Sequence, residues 1–542
     1  MKKKGTISTK AVLWLLAGAS GVLMGIPWLV PHTGMVALVA LVPLLVADYI
    51  ATGSGQKHFW IWHYSSFVLW NAITTFWVCN ATVGGGIFAV LANSLQMSLV
   101  WGLFRLSKKR LKGVVPYVLL VAAWIAWERW YLTSAQISWP WLVFGNAFAT
   151  SIRSIQWYSV TGTLGGSLWV WCSNLALFGT LVALSEGYWQ KWTRPARGAV
   201  LGSLVLLFAG LPFCSSIIYN SYKEKSEKEV SVLIGQPNLD PYHKFQSMRQ
   251  SEQNDLLLGL LEEPLSGQPA DLLVAPETFT SDIILNDIPT SATWKRFKDF
   301  LVSHPGSDFL FGAVTNQLYT TRSAPSLNSF PWGEGWREPH NSAIMLAADG
   351  RTEVFHKSKL VVGTELTPYP KVFVPLDNWL SSKMGVSSLM ARDSGQKEIS
   401  LLHLSDGTPL GCAVCYESVY GEYCTGYASR GAGFLAVITN DAWWGNTPGY
   451  RQHLSYSCLR AIELRRDIAR CGNTGISCFI NQRGDMVSRT PWWEQATLRG
   501  SVNVNSRQSF FTRHGDIVGR VCSLVFLLLL ALLLVRFLLG KK

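Results

Sequence analysis

Residues 411–417 read Gly-Cys-Ala-Val-Cys-Tyr-Glu. An apolar run this short, closing on a thiol and a carboxylate, reads as a buried strand whose end opens on a crevice. The texture repeats on both sides, at VSVLIGQ (230–236), DLLVAPE (271–277), DFLFGAV (308–314), AIMLAA (343–348), FLAVITN (434–440) and GISCFIN (475–481). Helical spacing covers 246–263 and 450–470 between these runs. Strands alternating with helices predict one α/β layered domain. It occupies 221–517, entered through the solvated linker Lys-Glu-Lys-Ser-Glu-Lys-Glu at 223–229.

The rest of the chain is different. Of 542 residues, 49% are hydrophobic, only 15% are charged and 25 are tryptophan, whereas soluble proteins carry about a quarter charged residues. Runs long enough to cross a bilayer, about 20 residues each, lie near 11–30, 34–52, 59–80, 86–106, 115–133, 162–184, 199–219 and 518–539. The predicted organisation is a polytopic α-helical membrane domain over 1–220, the α/β domain over 221–517, and an eighth span with a short tail over 518–542. The Trp-rich stretch 136–158 is expected to dip into the membrane without crossing. Residues 1–30 read as a span, since further spans follow and no small-residue cleavage site is clear.

Charge placement orients the spans. Residues 1–220 hold 15 Lys plus Arg against Asp48, Glu128 and Glu186, and 13 of the 15 fall on one side of the eight-span arrangement. The positive-inside rule makes that side cytoplasmic, which puts both chain ends inside and 221–517 outside. The remaining 322 residues are nearly neutral, with 32 basic and 31 acidic side chains, which argues against a nucleic-acid partner. Acids within the spans are few and lie near their ends, which disfavours ion-coupled transport.

Three strand ends each deliver a reactive group: Glu277, Lys357 and Cys415. A thiol becomes a nucleophile once a carboxylate can take its proton, and a nearby ammonium with a backbone N–H such as that of Tyr416 stabilises an oxyanion. Taken singly, each has an ordinary explanation as a cap, a solvated charge or a packed thiol. Cys412 and Cys415 spell C-x-x-C, but no second pair or His pair completes a zinc site, and positions 412 and 415 of a strand face opposite ways. The other exported cysteines read as buried thiols. No metal or organic cofactor is expected.

Together and in this order, the three residues resemble the Glu-Lys-Cys triad of the nitrilase superfamily across roughly 230–510. GQPNLDPYHKF (235–245), APET (275–278), HKSKLVVGTE (356–365), CYESVYGE (415–422), TNDAWWG (439–445), RQHL (451–454), NTGIS (473–477), QRGD (482–485) and FTRHGD (511–516) resemble, with the eight spans, the apolipoprotein N-acyltransferases. The resemblance implies an α-β-β-α sandwich, with Glu277 as general base, Lys357 as oxyanion stabiliser and Cys415 as the acylated nucleophile. It implies supporting roles for Glu365, Tyr416 and Glu417, and substrate contacts from Phe245, Asn341, Trp443 and Trp444. Lys357 rather than Lys359 aligns with the family's Tyr-x-Lys pattern, with Phe355 in place of the Tyr. The sequence departs from the pattern in Leu-Val-Val-Gly-Thr-Glu (360–365) and in Phe245, where Trp is common.

The implied reaction moves an acyl chain from a phospholipid, through a thioester on Cys415, to the diacylglyceryl-modified N-terminal cysteine of an apolipoprotein. The implied setting is the periplasmic face of a bacterial inner membrane, with the lipid bilayer itself as a partner. A membrane-tethered amidohydrolase using the same triad is the alternative.

Overall fold

The structure is a computed structural model describing residues 8–540 except 242–243, 245–247 and 386–387. Helices occupy the eight expected runs: Thr9–Leu29, Val42–Gly53, Trp60–Thr75, Val83–Ser107, Val115–Thr133, Tyr158–Ser185, Arg194–Ser221 and Ile517–Leu538. Among the described residues, six stretches are long and apolar enough to cross a membrane by length and composition. The two outside that set are Trp60–Thr75, of 16 residues, and Val115–Thr133, which carries Glu128, Arg129 and several aromatic rings.

Inside and outside are inverted relative to a water-soluble bundle. Leu15, Phe88, Leu95, Leu524 and Leu527 are exposed, whereas Trp70, Trp101, Trp124, Trp171, Asn71 and Asn174 are buried. Lipid is as apolar as leucine, so helix association rests on packing and on hydrogen bonds between helices. Trp70 stacks on Phe144 at 5.1 Å with an interplanar angle of 8°. Asn174 Oδ1 accepts from the backbone N–H of Leu41 (2.8 Å) and Val42 (3.1 Å). Those amides begin a helix, so the expected span 34–52 is a 3₁₀ turn, Gly34–Leu38, followed by Val42–Gly53. The stretch 136–158 holds three 3₁₀ turns, at Pro140–Leu142, Phe144–Phe148 and Ile152–Ser154.

The α/β domain contains two sheets. Strands β1 (Lys228–Gln236), β2 (Leu272–Val274), β3 (Thr280–Ile284), β4 (Asp308–Tyr319), β5 (Phe330–Trp332), β6 (Gly335–Leu346) and β7 (Thr352–His356) precede β8 (Leu402–His403), β9 (Pro409–Val414), β10 (Phe434–Thr439), β11 (Ile468–Gly472), β12 (Cys478–Ile480), β13 (Met486–Arg489) and β14 (Ala496–Val504). One sheet runs β14-β1-β2-β4-β6-β5, with β3 beside β4 and β7 beside β6; the other runs β13-β12-β11-β10-β9-β8.

Alternation along the strands decides the layers. Val230, Val232, Ile234, Leu272 and Val274 pack with Leu410, Cys412, Val414 and Ile438 between the sheets. Leu233, Leu273 and Phe309 face the helices Gln250–Gly267 and Ala292–Ser303 through Leu257, Leu261 and Phe297. Helices Gly421–Ser429 and Pro448–Leu464 cover the second sheet. The result is an α-β-β-α sandwich.

Three expectations are corrected. The helix expected over 450–470 stops at Leu464, where Arg465 turns left-handed at φ +53, and 468–472 belongs to β11. Glu277 does not close its strand, since β2 ends at Val274. The linker is strapped rather than fully solvated: Tyr222 Oη and Lys225 N both donate to Gln482 Oε1, and Lys228 already belongs to β1.

Helix Pro448–Leu464 joins the two parts. Gln452 Oε1 accepts from Trp141 Nε1 (2.7 Å) and Trp77 Nε1 (3.2 Å), while its Nε2 donates to the carbonyls of Trp28 (3.1 Å) and Thr74 (3.2 Å). One buried amide thereby bonds the ends of helices Thr9–Leu29 and Trp60–Thr75 and the Trp77 and Trp141 rings.

Candidate active site

Each reactive side chain leaves a strand by a constrained turn. A Cβ on Gly312 of β4 would lie 2.5 Å from the Glu277 Cα, so the bare glycine lets the turn after β2 rest against its neighbour. Lys357 follows β7 directly, its N–H donating to Asn341 O at 2.8 Å. Cys415 follows β9 at φ +54 and opens the 3₁₀ turn Cys415–Val419. A non-glycine residue held left-handed is costly and is kept only where its surroundings enforce it.

The polar groups meet on Lys357. Its Nζ donates to Glu277 Oε1 (3.0 Å) and Glu365 Oε1 (2.8 Å), and it is 1% exposed. Asn341 Nδ2 bridges the same two oxygens, at 2.8 Å each. Glu277 Oε2 accepts from Asn440 N at 3.1 Å, and Glu365 Oε2 from Val361 N at 2.7 Å. Burial opposes the Lys357 charge, yet Glu277 and Glu365 together hold its ammonium well above the ordinary lysine range. Burial, and then Glu277, push the Cys415 thiol well above its usual value, with Lys357 opposing. Cys415 therefore rests as a thiol, and any attack by its sulfur would need a base.

Glu417 has a different task from Glu365. Its Oε1 accepts from the backbone N–H of Ser358 (2.7 Å) and Lys359 (3.2 Å), and its Oε2 from Val414 N (2.8 Å). It ties the loop bearing Lys357 to the strand bearing Cys415. Lys359 turns away from that centre: its Nζ donates to Thr133 O at the end of a membrane helix and lies 5.3 Å from the Tyr420 ring centroid.

Behind Cys415 lies a chain that sequence reasoning missed. Arg470 Nη2 donates to Asp441 Oδ2 (2.6 Å), Asp441 Oδ1 meets His453 Nδ1 (2.8 Å), and His453 Nε2 meets the Cys415 carbonyl (3.0 Å). Burial alone would raise the Asp441 carboxyl, but Arg470 and His453 pull it below the usual range. His453 lies in RQHL and Asp441 in TNDAWWG, but nothing in either motif indicates that they meet.

One cavity of about 850 Å³ contains Glu277, Asn341, Lys357, Glu365, Cys415 and Tyr416, and continues along Gly84, Phe88, Ala92 and Gln96 of helix Val83–Ser107. Trp443 and Trp444 also line it. The Trp444 ring lies 4.6 Å from that of Trp77, so it belongs to the junction with the membrane helices. Phe245 lies outside the described residues. Cys412 is buried between the sheets, and the six cysteines of the domain are all unpaired thiols. Among the described residues, no three His, Cys, Asp or Glu side chains gather as a metal ion would require.

Two family models match the chain: carbon-nitrogen hydrolase over residues 235–510, and the apolipoprotein N-acyltransferase N-terminal domain over 20–176. The apolipoprotein N-acyltransferase of Chlorobaculum tepidum is 30% identical over 93% of this chain and 93% of its own. That of Geobacter metallireducens is 26% identical over 94% and 93%. Among solved structures, Saccharomyces cerevisiae Nit3, of branch 10 of the nitrilase superfamily, covers 52% of this chain and 93% of its own at 14% identity and a TM-score of 0.36.

Proposed function

The chain belongs to the apolipoprotein N-acyltransferase family, membrane enzymes of the carbon-nitrogen hydrolase superfamily, and on that premise we propose a two-step acyl transfer through Cys415. Glu277 takes the thiol proton as Sγ attacks the ester carbonyl carbon of a phospholipid. The oxyanion is received by Lys357 Nζ and by the Tyr416 N–H, which, at the start of a 3₁₀ turn, has no acceptor within its own helix. The C–O bond breaks, Glu277 returns the proton to the leaving alkoxide, and a thioester and a lysophospholipid result. The amine of a diacylglyceryl-modified N-terminal cysteine then attacks the thioester, forming the amide and releasing Cys415. A bacterial inner membrane, with the α/β domain on its periplasmic face, is the proposed setting.

The observation that carries this reading is the continuity of the cavity. It runs from Cys415 along the membrane helix from Thr82 to Gln96, about 20 Å at 1.5 Å per residue. That exceeds the half-thickness of a bilayer's hydrocarbon core, about 15 Å. An acyl chain on Cys415 thus has a path at membrane depth. Incubation with phospholipid alone should add one acyl group to the intact protein, removable by neutral hydroxylamine. Cys415→Ala should abolish the adduct and Cys412→Ala should not; an adduct persisting on Cys415→Ala protein would end the proposal.

A further inference from the structure

Asp393 has no place in the acyl-transfer steps above, yet it borders the same cavity as Cys415, Lys357 and Asn341. Its backbone is pinned on both sides. Asp393 N donates to Glu365 O (2.8 Å), Ser394 N to Pro339 O (2.8 Å), and Thr367 Oγ1 to Ala391 O (2.7 Å). The carboxylate itself takes no hydrogen bond from any described residue.

The nearby cations are engaged elsewhere. Arg392, the next residue, donates through Nη2 to Asp377 and to Asn378 Oδ1, and its guanidinium lies 5.3 Å from the Phe330 ring centroid. Lys357 bridges Glu277 and Glu365, and Lys244 donates to the Thr278 carbonyl. His340, across the loop, directs Nδ1 to the Ser394 carbonyl at 2.6 Å. A second acceptor is also open: Asn341 Oδ1 is buried and bonded to no described residue, because the amide nitrogen of that side chain is committed to the two glutamates. Three carboxylates around Lys357 and an unused amide oxygen make a cavity wall that favours a cation with several N–H donors.

We propose that Asp393, with Asn341 Oδ1 in the wall of the same cavity, receives the primary ammonium of the acyl acceptor and takes its first proton. This rests on the acyl-transfer reading above and identifies the step that the triad leaves open. An α-amino group near neutrality is largely R–NH₃⁺, which has no lone pair for attack. One proton passes to the Asp393 carboxylate, and the resulting R–NH₂ attacks the thioester carbon. As the C–N bond forms, Glu277 takes a second proton from nitrogen and delivers it to Sγ as the C–S bond breaks. The products are R–NH–CO–R′ and the Cys415 thiol, and Asp393 returns its proton to water. Burial, and then Glu365, raise the Asp393 carboxyl to about 7, with Lys357 opposing, close to the roughly 7.7–8 of an α-ammonium. Proton exchange between the two is therefore nearly balanced.

The test separates the half-reactions on the full-length membrane enzyme. Protein carrying Asp393→Asn should form the thioester from phospholipid at close to the wild-type rate and should release it normally to hydroxylamine, which is neutral at pH 7 and needs no ammonium site. Its single-turnover transfer to a diacylated lipopeptide should fall at least about tenfold, and the fall should shrink as pH rises and the acceptor loses its own proton. Asp393→Glu should restore part of the rate. Unchanged lipopeptide transfer in Asp393→Asn would overturn the inference. So would slowed thioester formation confined to ethanolamine phospholipids and absent with glycerol phospholipids, since the ammonium served would then be the donor's. Failure of wild-type protein to form any thioester would instead remove the acyl-transfer reading itself.

Discussion

His453 Nε2 lies 3.0 Å from the carbonyl oxygen of Cys415, and its Nδ1 lies 2.8 Å from the carboxylate of Asp441. Ser418 Oγ lies 3.1 Å from the same Nε2 and donates to the Cys415 carbonyl at 2.8 Å. Together these contacts hold the left-handed Cys415 turn and the peptide whose N–H belongs to Tyr416.

Replacing His453 with Gln, or Asp441 with Asn, is expected to lower the rate of thioester formation by about 10–10² while leaving lipid binding nearly unchanged, as small misplacements of reacting groups do. Asp441→Asn should also lower stability by about 3–5 kcal/mol, because it strips the counter-charge from the buried Arg470. Single-turnover acylation and thermal unfolding in detergent report the two effects. Full activity in both variants would show that the chain behind Cys415 is packing alone.

Lys357→Met should reduce acyl transfer by roughly 10²–10³, the usual cost of losing an oxyanion donor, whereas Lys359→Met should cost far less because its ammonium faces Thr133 and two tyrosine rings. Rates of phospholipid-dependent labelling decide between them. The folded-state Lys357 value is raised, so its stabilising contribution is complete below the unfolded value of about 10.4 and is lost only as pH climbs through the higher folded value. No alkaline loss of activity below about pH 10 should therefore trace to Lys357.

Glu277→Gln should prevent labelling of Cys415 at pH 7 and also at pH 9. An ordinary thiol near 8.5 would be largely thiolate at pH 9, but burial, the largest cause of the rise at Cys415 and one that remains after Glu277 is neutralised, still raises this one. Mass spectrometry across the pH series gives the answer; recovery of labelling by pH 9 would mean that the thiol ionises without its carboxylate partner.

Reporter fusions at Ser226 and at the C-terminus should show opposite sidedness, because the basic loops of residues 1–220 alternate cleanly. Equal sidedness would remove the eight-span arrangement.

Much of the architecture was legible in the one-dimensional pattern. Long apolar runs must hide their backbone polarity within helices, so seven of the eight were readable to within a few residues; the run at 34–52 opens with a 3₁₀ turn instead. The Cys415 run was readable as a strand because Leu410, Cys412 and Val414 are short, apolar and buried. The strand β14 was not, since it mixes Arg499, Ser501 and Asn503 with its apolar positions and is specified by antiparallel pairing with β1. The end of the helix at Leu464 was also hidden, because it depends on a left-handed arginine rather than on a glycine or proline.

The sequence by itself determined that Glu277, Lys357 and Cys415 follow apolar strands, because a buried strand must end at a sheet edge, and that the chain carries membrane helices, because only lipid accepts such runs. Only the tertiary structure decided which partners those groups have. It brings Asn341 and Glu365 onto Lys357, His453 onto the Cys415 carbonyl, and Gln452 onto the ends of three membrane segments. Such contacts join residues tens to hundreds of positions apart through directional hydrogen bonds. Their geometry is set by how two sheets and a helix bundle pack, and no local periodicity encodes it.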